Sequence, residues 1–112
     1  MVKLFISFAT EEFVTTAHSE ILLKIASILA ARHITGSFHL TGEFARYLRD
    51  NQRSDLIEAL QKHEIGYHSN THGAYPFIGS ICENNTWDST VEKLMRTEAK
   101  GILDIENIFG KR

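Results

Sequence analysis

The first stretch of the chain is apolar on both of its alternating faces. Within residues 2–9, apolar side chains fall on each face of an extended segment. A strand with two apolar faces is typical of a parallel sheet that helices cover on both sides. Residues 37–41 are short and apolar around His39 and predict a second strand, and residues 64–67 predict a short third strand.

Apolar residues recur at helical spacing between and after these segments. Ile21, Ile25, Ile28 and Leu29 stand at positions i, i+4, i+7 and i+8 and predict a helix over about residues 17–33. Three further helices are predicted: one that carries Phe44, Tyr47 and Leu48, one over about residues 54–62, and one that opens with a capping box at residues 89–92 and ends at about residue 109. Residues 68–87, about 20 in number, show no periodicity, which is typical of a functional loop.

The alternation of strands and helices determines the expected fold class. It predicts right-handed crossovers and a parallel sheet, and therefore an α/β protein. Parallel sheets bind their ligands at the carboxyl ends of the strands. Here those ends carry Glu11 and Glu12 after the first strand, and His68 and His72 after the third. The sequence predicts a site that draws on both ends.

His68 and His72 are the strongest chemical signal in this region. Residues four apart face the same way on one helical turn, so two imidazoles can bind a single metal ion. Zn²⁺ would take a third protein ligand, and Glu11 or Glu12 is the nearest candidate. Two other interpretations stay open: the histidines could cap the sheet through hydrogen bonds, and either carboxylate could be solvated.

Composition excludes some functions. The chain has 112 residues and a net charge of −2, with basic residues scattered along it, so nucleic acid is not an expected partner. Its longest apolar stretch, residues 21–31, is interrupted by Lys24 and is shorter than the roughly 20 residues that span a bilayer. No membrane interaction is expected. A lone cysteine, Cys82, and the lack of a signal peptide predict a cytoplasmic protein.

Three segments resemble motifs of the polysaccharide deacetylase family. Residues 64–73, E-I-G-Y-H-S-N-T-H-G, are similar to the family's second motif, E-I-G-x-H-[ST]-x-x-H. Residues 36–42, G-S-F-H-L-T-G, resemble its A-T-F-F-V-x-G strand, and residues 5–12 stand where the family has T-F-D-D-G or T-F-D-V-E. The resemblance runs over about residues 3–109 and covers the first half of the family's domain, a distorted (β/α) barrel.

This resemblance implies an activity and roles for particular residues. His68 and His72 would be metal ligands, with Ser69 supporting the loop between them. Glu11 matches the acidic residue of the D-V-E variant and would be a metal ligand or a substitute catalytic base. Ala9 stands where the family has its catalytic base. The implied function is that of a Zn²⁺-dependent N-deacetylase, impaired by Ala9, which hydrolyses the amide C–N bond of a carbohydrate or a small amide.

Ala9 also supports an alternative from a different class of protein. A relative of the deacetylases that binds a metal or a sugar without catalysis would not need a base at this position. The expected domain is then residues 1–112, either as a single domain or as the N-terminal part of a barrel. Three strands cannot close a barrel, so we expect further sequence, another chain or self-association to supply the rest.

Four other side chains receive weaker predictions. His39, in the second strand, could reach the site, but a core histidine with one hydrogen bond is favoured. His33 and His63 are predicted at helix ends or on helix surfaces. Cys82 has no paired cysteine and no basic neighbour, so it is predicted to be buried or inert rather than nucleophilic.

Overall fold

The protein is an α/β structure with a three-stranded parallel sheet. The computed structural model describes residues 1–11 and 15–110. Its elements in chain order are strand β1 (Ser7–Thr10), helix α1 (Thr16–Ala31), strand β2 (Ser37–Leu40), helices α2 (Gly42–Asp50) and α3 (Ser54–Leu60), strand β3 (Glu64–Tyr67), and helices α4 (Ile78–Glu83) and α5 (Trp87–Phe109). The strands are parallel and lie in the order β1-β2-β3. The predicted α/β class and parallel sheet are confirmed.

One face of the sheet forms one side of the hydrophobic core. Successive residues of a strand point to opposite faces, so the rows Phe8–Phe38–Ile65 and Thr10–Leu40–Tyr67 share a face. Helices α1, α2, α3 and α5 pack there, and their buried core residues are Leu22, Ala26, Phe44, Ala45, Leu48, Leu56, Ala59, Leu60, Ile105 and Phe109. Phe8 and Phe38 stack with their ring centroids 4.9 Å apart, which extends the core to the edge strand.

The opposite face of the sheet is different in character, and we refer to it as the open face. It carries the rows Ser7–Ser37–Glu64 and Ala9–His39–Gly66. These residues are polar or small, and Ser7, Ala9 and Glu64 are exposed. The core helices named above lie against the other face, so the sheet is covered on one side by the described helices.

The prediction for the first strand is wrong in two respects. It placed a strand over residues 2–9 with both faces buried, whereas β1 begins at Ser7. Val2 and Leu4 are 94% and 83% exposed. The apolar pattern is real, but within the described residues no core covers the start of the chain or the open face.

Two local predictions in the second half of the chain are also wrong. Residues 68–87 are not a continuous loop, because α4 forms within them over Ile78–Glu83. This helix has six residues, fewer than two turns, and is too short to show a clear period. The last helix begins at Trp87 rather than at the proposed capping box, and the side chain of Thr86 caps it by accepting a hydrogen bond from Ser89 N.

The structure corrects parts of the predictions for His63 and Cys82. His63 follows the end of α3, as one of its two predicted positions requires, but it is 3% exposed and does not lie on a helix surface. Its ring nitrogens contact Gly36 N at 3.3 Å and Ala26 O at 2.9 Å. Of the two options predicted for Cys82, buried or inert, burial is wrong, because the residue is exposed. None of the helices in the described ranges is long and apolar enough to cross a membrane.

Candidate metal centre

The loop after β3 is anchored by backbone hydrogen bonds. His68 N donates to Leu40 O at 2.8 Å and so extends the β2–β3 ladder by one residue. Ser69 then adopts a left-handed conformation, with φ of 63°, which turns the chain. Its carbonyl accepts a hydrogen bond from Gly42 N at 3.1 Å, at the start of α2. The loop is therefore tied both to the sheet and to a helix N-terminus.

Glu11, His68 and His72 converge at the carboxyl ends of β1 and β3. Glu11 Oε1 lies 2.8 Å from His68 Nε2, and Glu11 Oε2 lies 3.0 Å from His72 Nδ1. The two imidazoles stack with their centroids 4.8 Å apart. This group of three side chains is called the Glu-His-His cluster below. Glu12, the other acidic candidate, lies outside the described residues.

The donor set of the Glu-His-His cluster is suited to a transition-metal ion. Its three ligand atoms lie within 4.8 Å of one another. Ligands of a tetrahedral Zn²⁺ sit about 2.1 Å from the metal and hence about 3.4 Å apart, so small side-chain movements would suffice. Two imidazole nitrogens and a carboxylate oxygen are common zinc ligands. The same contacts also satisfy the three side chains through hydrogen bonds. The geometry is therefore compatible both with a metal site and with a hydrogen-bonded cap of the sheet.

The Glu-His-His cluster remains in contact with water. The side chains of Glu11, His68 and His72 are 30%, 34% and 47% exposed. An open groove of about 360 Å³ runs beside Glu11, between β1 and α1. Its lining combines apolar and polar groups: Phe8, Ile21 and Ile25 are apolar, and Glu11 and His18 are polar. A ligand held at the cluster can therefore be reached from solvent.

A second set of polar contacts holds the loop that carries His68 and His72 against helices α2 and α5. Tyr67 donates its hydroxyl hydrogen to a Glu98 carboxylate oxygen at 2.5 Å, and Asn70 N donates to the same oxygen at 3.0 Å. Arg46 donates to Asn70 Oδ1 at 2.8 Å and pairs with Asp104 at 2.9 Å. These bonds join the loop to α2 and α5.

These contacts and the burial of Tyr67 change the pKa of its hydroxyl group. Partial burial of its ring raises the pKa of the hydroxyl above its ordinary value, and the hydrogen bond to Glu98 raises the pKa further. Both effects favour the protonated form, because a tyrosinate would lie in a partly buried position beside a carboxylate. No local sequence pattern pairs Tyr67 with Glu98, because the two residues are 31 positions apart in the chain.

Ala9 and His39 lie in one row of the open face, directly before the Glu-His-His cluster. Ala9 is the register partner of His39, and His39 is the partner of Gly66. Ala9 has no group that can accept a proton, and it is exposed. The His39 ring is half-buried, with Nε2 3.3 Å from Ser37 Oγ. The favoured expectation of one hydrogen bond is met, but the ring lies on the open face and not in the core.

Comparison with known proteins leaves the family open. No protein-family model, no curated protein and no solved structure matches the chain.

Proposed function

We propose that the Glu-His-His cluster holds one divalent transition-metal ion, of which Zn²⁺ is the best candidate. The observation that carries this proposal is the meeting of Glu11 with His68 and His72, 57 and more residues away along the chain. Topology explains why the ends of β1 and β3 are near each other, but it does not require a carboxylate to contact both imidazoles. Solvent access supports the proposal, because the ion must be able to enter.

We further propose that the protein is a metal-dependent hydrolase of the carbohydrate deacetylase type. The support is the similarity of residues 64–73 to the family's second motif, together with the position of Glu11. A cation held by the cluster would polarise the acyl oxygen and lower the pKa of a coordinated water. The reaction would add water across the amide C–N bond of an N-acetyl group and release acetate and an amine.

The open face supports a proposal about architecture. In a (β/α) barrel the helices cover the outer face of the sheet and the inner face is enclosed by further strands. The described sheet has helices on one face and small or polar residues on the other, and β1 and β3 are edge strands. We propose that it is part of a distorted (β/α) barrel, with the missing strands supplied by further sequence, another chain or a second copy.

Association of the 112-residue chain tests this architecture. Sedimentation equilibrium should show self-association, because β1 and β3 are the outer strands of the described sheet and Ser7, Ala9 and Glu64 of its open face are exposed. A well-folded monomer that melts sharply and cooperatively would count against the partial-barrel proposal.

A second function is favoured by one observation, the side chain at position 9. Ala9 cannot take a proton, and proton transfer contributes on the order of 10²–10⁴ to such reactions. A non-catalytic relative that binds a metal or a sugar would keep the Glu-His-His cluster and lose this group.

Metal content tests the first proposal. Chelator-treated protein that is then dialysed against Zn²⁺ should hold one equivalent by elemental analysis. His68→Ala and His72→Ala should each lose it, while His33→Asn, at an exposed position beyond α1, should retain it. If the wild-type protein holds no zinc, or if the two alanine variants hold as much as wild type, the cluster is only a hydrogen-bonded cap of the sheet.

Acetate release from chitooligosaccharides tests the second proposal. Zinc-loaded protein should release acetate, and Glu11→Gln should abolish the release, whereas Glu58→Gln, an exposed change in α3, should not. Metal content of Glu11→Gln then separates the two roles of this residue: loss of zinc marks a ligand, and retained zinc marks a base. Zinc-loaded protein that releases no acetate supports the non-catalytic alternative.

A further inference from the structure

The Glu-His-His cluster lies over the end of the central strand. Glu11 and His68 follow β1 and β3, the two outer strands, yet their side chains meet at 2.8 Å. Adjacent strands are about 4.8 Å apart, so both side chains must reach inward over β2 to make this contact. The residues of β2 that point to the same face therefore lead up to the cluster from the start of the sheet.

His39 is the last residue of β2 on that face, one pleat before the level of Glu11 and His68. Glu11 and His68 stand two residues beyond Ala9 and Gly66, the register partners of His39, so all belong to the open face. Two residues of a strand span about 7 Å, a distance that admits one water molecule between the imidazole and the cluster. His39 is also the one titratable member of its row, since its neighbours are alanine and glycine.

Gly66 makes room for the His39 ring. A Cβ at position 66 would lie 2.6 Å from His39 Nδ1 and 2.9 Å from Cε1, well inside van der Waals contact. The imidazole therefore lies across the backbone of β3 in a space that any larger residue at position 66 would fill.

Ser37 holds the other side of the ring. Its hydroxyl is 3.3 Å from His39 Nε2, one pleat earlier on the same strand. When Nε2–H donates to this hydroxyl, the neutral ring has its proton on Nε2 and a free lone pair on Nδ1. A lone pair on a half-buried imidazole beside a candidate metal centre is a proton acceptor.

We propose that His39 is the proton acceptor of the hydrolase reaction. The inference rests on the proposed function and gives the site a base that Ala9 does not provide. A water O–H bond breaks and its proton passes to Nδ1 of His39, while the water oxygen forms a bond to the amide carbon. The C–N bond then breaks, and the proton moves from His39 to the departing amine nitrogen, so that acetate and an amine are the products.

The kinetic test compares His39→Phe and His39→Gln with wild type and with His33→Asn. Acetate release by the two His39 variants should fall by about 100-fold or more, with zinc content unchanged, and His33→Asn should match wild type. Ala9→Asp places a carboxylate beside position 39, so adding it to His39→Phe should restore part of the lost rate. Full activity in either folded His39 variant would overturn the inference, as would loss of activity that tracks loss of zinc.

A spectroscopic test needs no activity. Co²⁺ bound at the cluster should shift and broaden the ring proton resonances of His39 and leave those of His33, at the other end of the sheet, in place. An unperturbed His39 resonance in cobalt-loaded protein would overturn the inference even if the protein releases acetate. By contrast, a wild-type protein that binds zinc and perturbs His39 but releases no acetate would overturn the proposed function.

Discussion

Gly101 of α5 packs directly against Gly42 at the start of α2. A Cβ on Gly42 would lie 2.7 Å from Gly101 Cα, so the two helices meet backbone to backbone. Asn70, from the histidine loop, fits into the same contact: its Oδ1 would be 2.9 Å from a Cβ on Gly101. The close approach lets both helices bind the loop that carries the Glu-His-His cluster.

Gly101→Ala should therefore destabilise the protein, although alanine is the better helix former. Helix propensity alone favours alanine by about 1 kcal/mol. The new methyl group would lie 2.7 Å from Tyr67 Oη, and overpacking of this kind costs about 1–3 kcal/mol. We expect a net loss of about 1 kcal/mol in urea denaturation, because hydrogen bonds restrain Tyr67 and Asn70 from moving aside. Gly73→Ala, which meets nothing within 4 Å, is the control and should change little.

The raised pKa of Tyr67 predicts a loss of stability in alkaline solution. The unfolded chain releases this proton near pH 10, while the folded protein keeps it to higher pH. The stabilising effect is thus fully present below about pH 10 and declines as the pH rises above that value. Urea denaturation between pH 8 and pH 11 should show the decline in wild type and a smaller one in Tyr67→Phe. An equal decline in both proteins would contradict the assignment, and Tyr75→Phe, at an exposed site, should behave as wild type.

The left-handed conformation of Ser69 predicts that different substitutions at this position change stability and zinc binding to different extents. Its φ of 63° lies in the left-handed region, where a non-glycine residue costs roughly 1–2 kcal/mol. Ser69→Gly should match or exceed wild-type stability and retain zinc. Ser69→Val should lose about 1–2 kcal/mol and bind zinc more weakly, because a β-branched residue resists this conformation. Isothermal titration with Zn²⁺ and urea denaturation measure the two effects, and unchanged behaviour of Ser69→Val would rule out the strained turn.

Replacement of buried His63 is expected to lower the stability of the protein markedly, although this residue is far from the candidate site. Its Nδ1 accepts a hydrogen bond from Gly36 N, so Nε2 carries the proton and donates it to Ala26 O. His63→Leu keeps the volume but leaves the Gly36 N–H without this acceptor, and should cost about 1–3 kcal/mol by thermal or urea denaturation. Lys62→Leu, at an exposed neighbouring position, should change stability little. Equal effects of the two leucine variants would show that the His63 bonds contribute nothing.

Local pattern was enough to predict most of the secondary structure. Strand β3 occupies the predicted residues 64–67, and β2 ends one residue before the predicted end. Helices α1 and α5 lie within two residues of their predicted limits. The helix limits were predictable in this way, but the buried face was not: Ile21 and Ile28 of the α1 pattern are 56% and 53% exposed. The buried residues of α1 are Ser19, Leu22 and Ala26.

Part of the candidate site was also predictable from the sequence. His68 and His72 are four residues apart, and Glu11 follows the first strand, so the strand-end rule brought the three together. The choice between Glu11 and Glu12 could not be made in this way. The structure shows Glu11 in contact with both histidines, while Glu12 falls outside the residues that it describes.

Contacts between distant residues explain what the sequence did not predict. Tyr67 and Glu98 are 31 residues apart, and His63 and Ala26 are 37 apart, with no local pattern to pair them. The assignment of His63 to a helix surface failed for this reason. The predicted burial of the first strand failed because an apolar pattern does not guarantee a cover: Val2 and Leu4 are exposed in the described structure.

The open face also bears on the strength of the polar contacts within the Glu-His-His cluster. Interactions between charges are weakened by the high dielectric constant of water and strengthened where water is excluded. In the described structure Glu11, His68 and His72 all touch solvent. A layer placed over the open face would lower the local dielectric constant and strengthen every polar contact at the cluster. The strength of the polar contacts on this sheet would then depend as much on what covers it as on the residues that it carries.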